Sequence, residues 1–438
     1  MSSEAAPARL FIDCSQTYFH GGRTGIQRVV RNIARHGASR AKALGLECHA
    51  IVWTPGGFRQ VRGPDPHPFA MLYQRYVRAV KAAVQVAAAL LHAFLPRKIV
   101  AILKARLRKR PYLSIRWVGL FLRRRPVRFR PGDILLLADA PWNLPGFWDR
   151  VRDARAGGAR VGCVVYDLIP LLFPQWCTSI FVQAFREWSA RAFSTADFCL
   201  CISETTRRDL ETHLRRGPAG NGLPALGTFR LGAGLDATPR TRVRPSLESA
   251  FASLPAPFLS VGTLEPRKNQ SLLLDAFEIL WGRGSEAKLL IAGGRGWRCG
   301  DLLKRLGNHA ERDRRLFVFH DLDDTELSYC YRNSRALIFA SLYEGFGLPI
   351  VEALRHGLPV LASDIAAHRE TGGDRCVYFD PSSAEDLARR IDDVEKGSVP
   401  APPAEFSWPN WKESSHELIA AVLRLAGRNG HVERRHDR

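Results

Sequence analysis

The sequence has no C-x-x-C pair among its nine cysteines, an odd number. Most of these thiols sit in apolar runs such as Phe198-Cys199-Leu200-Cys201. That pattern argues against a disulfide framework or a cysteine metal site, and for reduced, buried cysteine in a cytoplasmic protein. There is no uncharged apolar run of roughly 18 residues or more, so no membrane-spanning helix is expected. The N-terminal stretch lacks a basic region followed by an apolar core, so no secretory signal is expected. No internal repeat is visible. Between Asp65 and Asp133 there is no acidic residue at all, yet that gap holds 16 of the 64 Lys and Arg. The net charge of +21 therefore belongs mostly to one segment.

The 438 residues are too many for one ordinary core, so two domains are expected. Short apolar runs alternate with amphipathic ones. Strands are expected at 9–14, 46–54, 133–140, 159–167 and 198–203, with helices at 24–44 and 179–196. The rhythm fails over 214–257, a Gly- and Pro-rich stretch that marks a domain junction, with 228–231 as a final strand of the first half. It resumes as six strands with intervening helices between 257 and 394. The expected fold is α/β: two doubly wound domains, 1–235 and 236–400, then a helix and basic tail at 401–438. Ligands in such sheets bind beyond the carboxyl ends of the strands.

Two motifs sit at expected strand ends. In the first, Ser341-Leu-Tyr-Glu344-Gly345-Phe346-Gly347-Leu348-Pro349-Ile350-Val351-Glu352, Pro349 suits a first helical turn. This places Glu344 in the loop and Glu352 about one turn into the helix. The glycines permit close backbone approach, and a helix N-terminus favours anionic oxygens. Ionised carboxylates accept from sugar hydroxyls. The second is Gly262-Thr263-Leu264-Glu265-Pro266-Arg267-Lys268-Asn269, where two adjacent cations suit a diphosphate leaving group without a divalent metal, and Asn269 is placed to cap the next helix. Taken singly, the acids also suit a cap and a solvated helix face, and the cations a solvated basic loop.

Together, G-T-L-E-P-R-K-N, then E-G-F-G-L-P-I-V-E, then Asp380-Pro381, resemble the large retaining glycosyltransferase family that includes sucrose synthase and many bacterial mannosyltransferases. The resemblance implies the GT-B fold, two facing Rossmann-like domains with a cleft between them. It implies that Arg267 and Lys268 contact the diphosphate, that Glu344 lies near the reacting carbon, and that Glu352 holds the ribose. Phe346, Gly347 and Leu348 would touch sugar and phosphate, with Gly345 in the same loop, and Gly262 and Thr263 would line the pocket. In the first half, Gly21-Gly22-Arg23-Thr24-Gly25-Ile26-Gln27-Arg28-Val29 resembles the glycine loop of the mannosyl- and rhamnosyltransferase branch, which would set Gly22, Thr24 and Gly25 against the donor phosphates. Gly-rich turns of this kind also precede helices of no such function. Tyr166-Asp167 stands where that branch often has His-Asp, so any role of that imidazole is in doubt here; Asp167 is assigned to the acceptor side. That branch tilts the donor toward GDP-mannose or a related deoxyhexose.

Other residues have plainer readings. Ser203 is expected to cap a helix. The Asp321-Leu-Asp323-Asp324 cluster with His320 reads as helix caps rather than a metal site. Gly293–Trp297 either closes over a nucleotide base or is a plain turn.

The basic segment, about 66–132, reads as an amphipathic helix over 69–95 followed by 13 more cations among Ile, Leu, Trp117 and Phe121. This composition suits an anionic membrane surface. A self-packed insert is the alternative, and nucleic acid a weaker rival because spaced aromatics are lacking. The expectation is a metal-independent, retaining hexosyltransferase. It would take a nucleoside diphosphate sugar and a glycan or polyprenyl-linked acceptor in surface polysaccharide synthesis, at the inner face of a membrane. The rivals are a non-catalytic scaffold using the basic insert, or a phosphorylase or epimerase of the same architecture.

Overall fold

The computed structural model describes residues 9–20, 25–54, 56–65, 126–142, 144–216, 223–234, 242–399 and 406–427. Gly22, Thr24 and nearly all of the basic segment lie outside the described residues.

The first lobe is built on β1 (Arg9–Asp13), β2 (Glu47–Thr54), β3 (Gly57–Gln60), β4 (Ile134–Leu137), β5 (Arg160–Val165), β6 (Phe198–Cys201) and β7 (Ala225–Thr228). Their order is β3-β2-β1-β4-β5-β6-β7, parallel except for the β2–β3 pair. Successive residues of β1 feed opposite faces: Leu10 and Ile12 enter one core, Phe11 the other. That two-sided burial is why the strands read as continuous apolar runs. The second lobe holds β8 (Phe258–Val261), β9 (Leu289–Ala292), β10 (Leu316–Phe319), β11 (Leu337–Phe339), β12 (Val360–Ser363) and β13 (Val377–Phe379). It is all parallel, in the order β10-β9-β8-β11-β12-β13.

These orders decide where a ligand can sit. The winding reverses between β1 and β4 in the first sheet and between β8 and β11 in the second. At a reversal the following helices depart to opposite faces and leave a crevice at the strand ends. The Arg267-Lys268 loop follows β8 and the Glu344 loop follows β11. The two motifs are thus neighbours in space although far apart in sequence.

Several expectations need correction. The last strand of the first sheet is β7 at Ala225–Thr228, three residues before the place expected, with Gly227 against Leu425. The C-terminal helix, Trp411–Leu425, is no separate tail. It packs on the Gly25–Ala43 helix inside the first lobe's core, through Leu418, Ile419 and Val422 against Val29, Val30 and Ile33. The chain crosses back to the lobe it began in, and the Trp411 and Trp408 indoles donate to the carbonyls of Gly234 and Leu231. The antiparallel β3 and the Phe147–Ala156 helix were not anticipated. Eight of the nine cysteines are buried and all are free. Among the described residues no helix is long and apolar enough to cross a membrane.

Candidate active site

The two reversals face each other across a cavity of about 1250 Å³. From the second lobe it is lined by Gly262, Thr263, Arg267, Lys268, Glu344, Gly345, Phe346, Gly347, Leu348 and Glu352. From the first come Gly25, Tyr166 and Asp167. Every expected site residue within the described part of the chain therefore borders one space.

Glu344 is the hub of its second-lobe wall. It is buried and accepts from Lys268 Nζ, from Arg267 Nη1 at 2.7 Å and from Ser341 Oγ at 2.7 Å. Arg267 also reaches Glu265 at 2.7 Å. Burial works to raise the Glu344 pKa, but the two cations overcome it and hold the carboxyl far below its usual range. Burial likewise opposes the Arg267 charge, and Glu344 and Glu265 more than restore it. Lys268 is lowered by burial, partly offset by Glu344. The net result is a fixed array of charges held out of water. Only part of their donors is used, since Arg carries five N–H and Lys three.

Glycine sets the geometry at three places. Gly262 has φ 151°, and a Cβ there would lie 3.4 Å from the Lys268 side chain. Gly347 has φ 118° and opens the Leu348–Arg355 helix with no side-chain cap; Pro349 carries no N–H and the Ile350 amide donates to the Gly347 carbonyl at 3.0 Å, so of the first three helical residues Leu348 is the one that offers an amide to an anion. Gly345 is constrained by the first lobe. A Cβ would fall 2.1 Å from the Tyr166 carbonyl oxygen, and the Gly345 carbonyl accepts from Ser203 Oγ at 2.5 Å and Thr206 Oγ1 at 3.1 Å. It is a joint between lobes as well as part of the cavity wall. Ser203 also receives the Thr206 amide at 2.9 Å, the expected cap. Glu370 from the second lobe completes that joint, accepting from the amides of Glu204 and Thr205.

Glu352 is buried one turn into its helix. It accepts from Tyr331 Oη at 2.8 Å and, across the cleft, from Arg28 Nη1 at 2.5 Å. Arg28 also reaches Asp324 at 3.3 Å. Its importance was missed in the sequence. A signal existed: a cation in the first turn of the Gly25–Ala43 helix opposes the helix dipole, so something acidic must face it. Asn269 was misassigned. It stands at the N-cap position with φ 57°, but its side chain donates to the Pro381 carbonyl instead of the helix. Asp323 caps its helix in a reciprocal box with Glu326, as expected, while Asp321 pairs with Arg244. Tyr166 donates to the Ala138 carbonyl at 2.7 Å, and burial raises the Asp167 pKa, an effect Arg267 opposes.

The first-lobe floor holds a second pair of acids. Asp13 accepts from Ser15, and Asp139 from the Thr17 and Ala140 amides. Burial first, then the Asp139 charge, pushes Asp13 up to about 8; burial pushes Asp139 up to about 6. In the second lobe, burial lowers His368 to about 4. The consequences for stability have opposite signs. The folded state keeps the Asp13 proton that the unfolded chain has lost, so stability falls as pH rises from about 4 to about 8. The folded state refuses the His368 proton, so stability rises with pH from about 4 to 6.5 and is level above. Asp139 has finished by about pH 6. Of these three groups only Asp13 acts between about 6.5 and 8, and there it costs on the order of 2 kcal/mol. Asp13→Asn is expected to flatten that limb in thermal melts, and an unchanged slope would show that Asp13 is not its source.

Two facing doubly wound lobes with a charged cleft between them define the GT-B fold. Residues 249–405 match the family model described as glycosyl transferases group 1. Residues 249–405 thus carry a glycosyl transferases group 1 domain. Over 94% of its length it is 30% identical to the serotype-specific mannosyltransferase WbdA of Escherichia coli, of which it covers 44%. It thus spans less than half of that relative. Over 66% of its length it is 26% identical to the O-antigen chain mannosyltransferase B of Escherichia coli, covering 79% of it. Among solved structures, Anabaena Alr3699/HepE in complex with UDP and glucose superposes with TM-score 0.53, at 14% identity, over 96% of this chain and 97% of that one. The last likeness concerns the fold alone.

Proposed function

We propose that the protein transfers a hexosyl group, mannosyl by the names of its relatives, from a nucleoside diphosphate sugar to a glycan hydroxyl in surface polysaccharide synthesis, with retention of anomeric configuration. The observation that carries this reading is the convergence of Arg267 and Lys268 on buried Glu344, beside the uncapped helix start at Gly347. As the bond between the anomeric carbon and the diphosphate breaks, its electron pair leaves on a phosphate oxygen. Arg267, Lys268 and the helix N-terminus are placed to stabilise that charge. The acceptor oxygen bonds to the same face of the carbon, and its proton passes to the departing diphosphate. Glu344 orients the cations and faces the sugar, and Glu352 holds the ribose once Arg28 yields it. On this reading no metal is required. The first-lobe wall, with Asp167, receives the acceptor, and the basic segment holds the enzyme to an anionic membrane surface where lipid-linked acceptors reside.

The test is a panel of GDP-, UDP- and dTDP-sugars, scored for nucleotide release with and without a mannoside acceptor. Release that depends on the acceptor, with a product of retained configuration, is expected. Release that requires inorganic phosphate, or sugar conversion without any acceptor, would assign a phosphorylase or an epimerase. No binding of any sugar nucleotide by calorimetry would leave only a scaffold.

A further inference from the structure

The cavity is larger than one substrate needs, and the part of it beyond the donor groups has its own chemistry. Pockets for a single small ligand run to about 300–1000 Å³, against about 1250 Å³ here. Arg267, Lys268, Glu344 and Glu352 line it from the second lobe. The same lining holds a run of aromatic rings drawn from three places in the chain. Trp142 follows β4, Phe181 opens the Ser179–Thr195 helix, and Trp297 follows β9 in the other lobe. Trp142 and Phe181 meet at 4.9 Å, and Phe181 stacks on Trp297 at 4.9 Å and 28°. All three line the cavity, and Trp297 is 39% exposed, among the most exposed large apolar residues described. Trp176 continues the wall, stacked on Phe173 at 4.4 Å. Asp139 and Asp167 border the same space.

Flat apolar faces beside carboxylate acceptors match one class of molecule closely. A pyranose ring has an apolar C–H face and a rim of hydroxyl donors. A lipid tail has no use for the carboxylates. A nucleotide base is a single flat ring system and would leave most of the aromatic wall uncovered.

We infer that the Trp142–Phe181–Trp297 wall is a saccharide subsite that holds a sugar of the acceptor one unit away from the reacting hydroxyl. This rests on the glycosyl-transfer reading above and adds to it that the acceptor is an oligosaccharide, read by its ring faces. Because Trp297 belongs to the second lobe and Phe181 to the first, the subsite is complete only when the lobes meet.

The test compares kcat/KM for methyl α-mannoside with the values for the methyl glycosides of α-linked mannobiose and mannotriose, using the full chain. The wild-type value is expected to rise at the second sugar. In Trp142→Ala and Trp297→Ala that rise shrinks by roughly threefold to tenfold, the worth of one aromatic contact, and Trp297→Tyr restores it. A rise that survives both alanine variants overturns the inference, as does a wild-type enzyme indifferent to acceptor length. So does a Trp297→Ala effect confined to the donor KM, which would assign the ring to the nucleotide base. Dependence on a polyprenyl tail alone would give the wall to lipid. Absence of transfer from any sugar nucleotide would instead defeat the glycosyl-transfer reading itself. In that event the inference stands or falls on whether mannotriose quenches tryptophan fluorescence in the wild type and not in the alanine variants.

Discussion

Glu344→Gln is expected to lower the transfer rate by roughly a hundredfold to a thousandfold, the size seen when one preorganised electrostatic element is lost. The substitution keeps the shape and the Ser341 contact but removes the one buried charge shared by two partly buried cations. Breaking a buried pair in this way costs about 3–5 kcal/mol, mostly because the partners are left uncompensated. The melting temperature of the variant should therefore fall. A bound sugar nucleotide brings its own negative charge to the same cations, so it should restore more stability to Glu344→Gln than to the wild type. Nucleotide release and thermal shift with and without donor measure both effects. Transfer left undiminished would remove Glu344 from the reaction.

Lys268→Ala should rank beside it, with a loss in kcat again on the order of a hundredfold to a thousandfold. The Lys268 ammonium is held between Glu344 and the Phe339 ring, 4.8 Å from its centroid. The charge it answers grows as the diphosphate departs, so the loss should fall on kcat more than on donor KM. Lys268→Arg should not rescue it, because a planar guanidinium fork does not reproduce the compact point charge held between Glu344 and the Phe339 ring. A variant changed in donor KM alone would make Lys268 a binding residue and nothing more.

How much of this was legible beforehand depended on the reach of each interaction. The strands announced themselves because burial on both faces writes an unbroken apolar run, and the two charged loops because each lies next to the strand that presents it. Glu344, Glu352, Arg267 and Lys268 are expected near strand ends on that ground, and all four border one cavity. Arg28 was passed over because its partner, Glu352, is 324 residues away. Gly345 was read as a ligand-side glycine, since nothing near it in sequence reveals the Tyr166 carbonyl that crowds its Cα. The C-terminal helix is expected from the sequence, but its amphipathic face does not say which core it enters.

The sequence by itself determined two α/β lobes, the order of their elements and the chemical identity of the groups at the strand ends, since these follow from local periodicity and from residue type. Only the tertiary structure decided which loops became neighbours, which carboxylate each cation meets, and that aromatic rings from both lobes share one wall. The reason is that strand order and lobe contact are set by packing between segments hundreds of residues apart, and pairwise contact at that range leaves no periodic trace in a single chain.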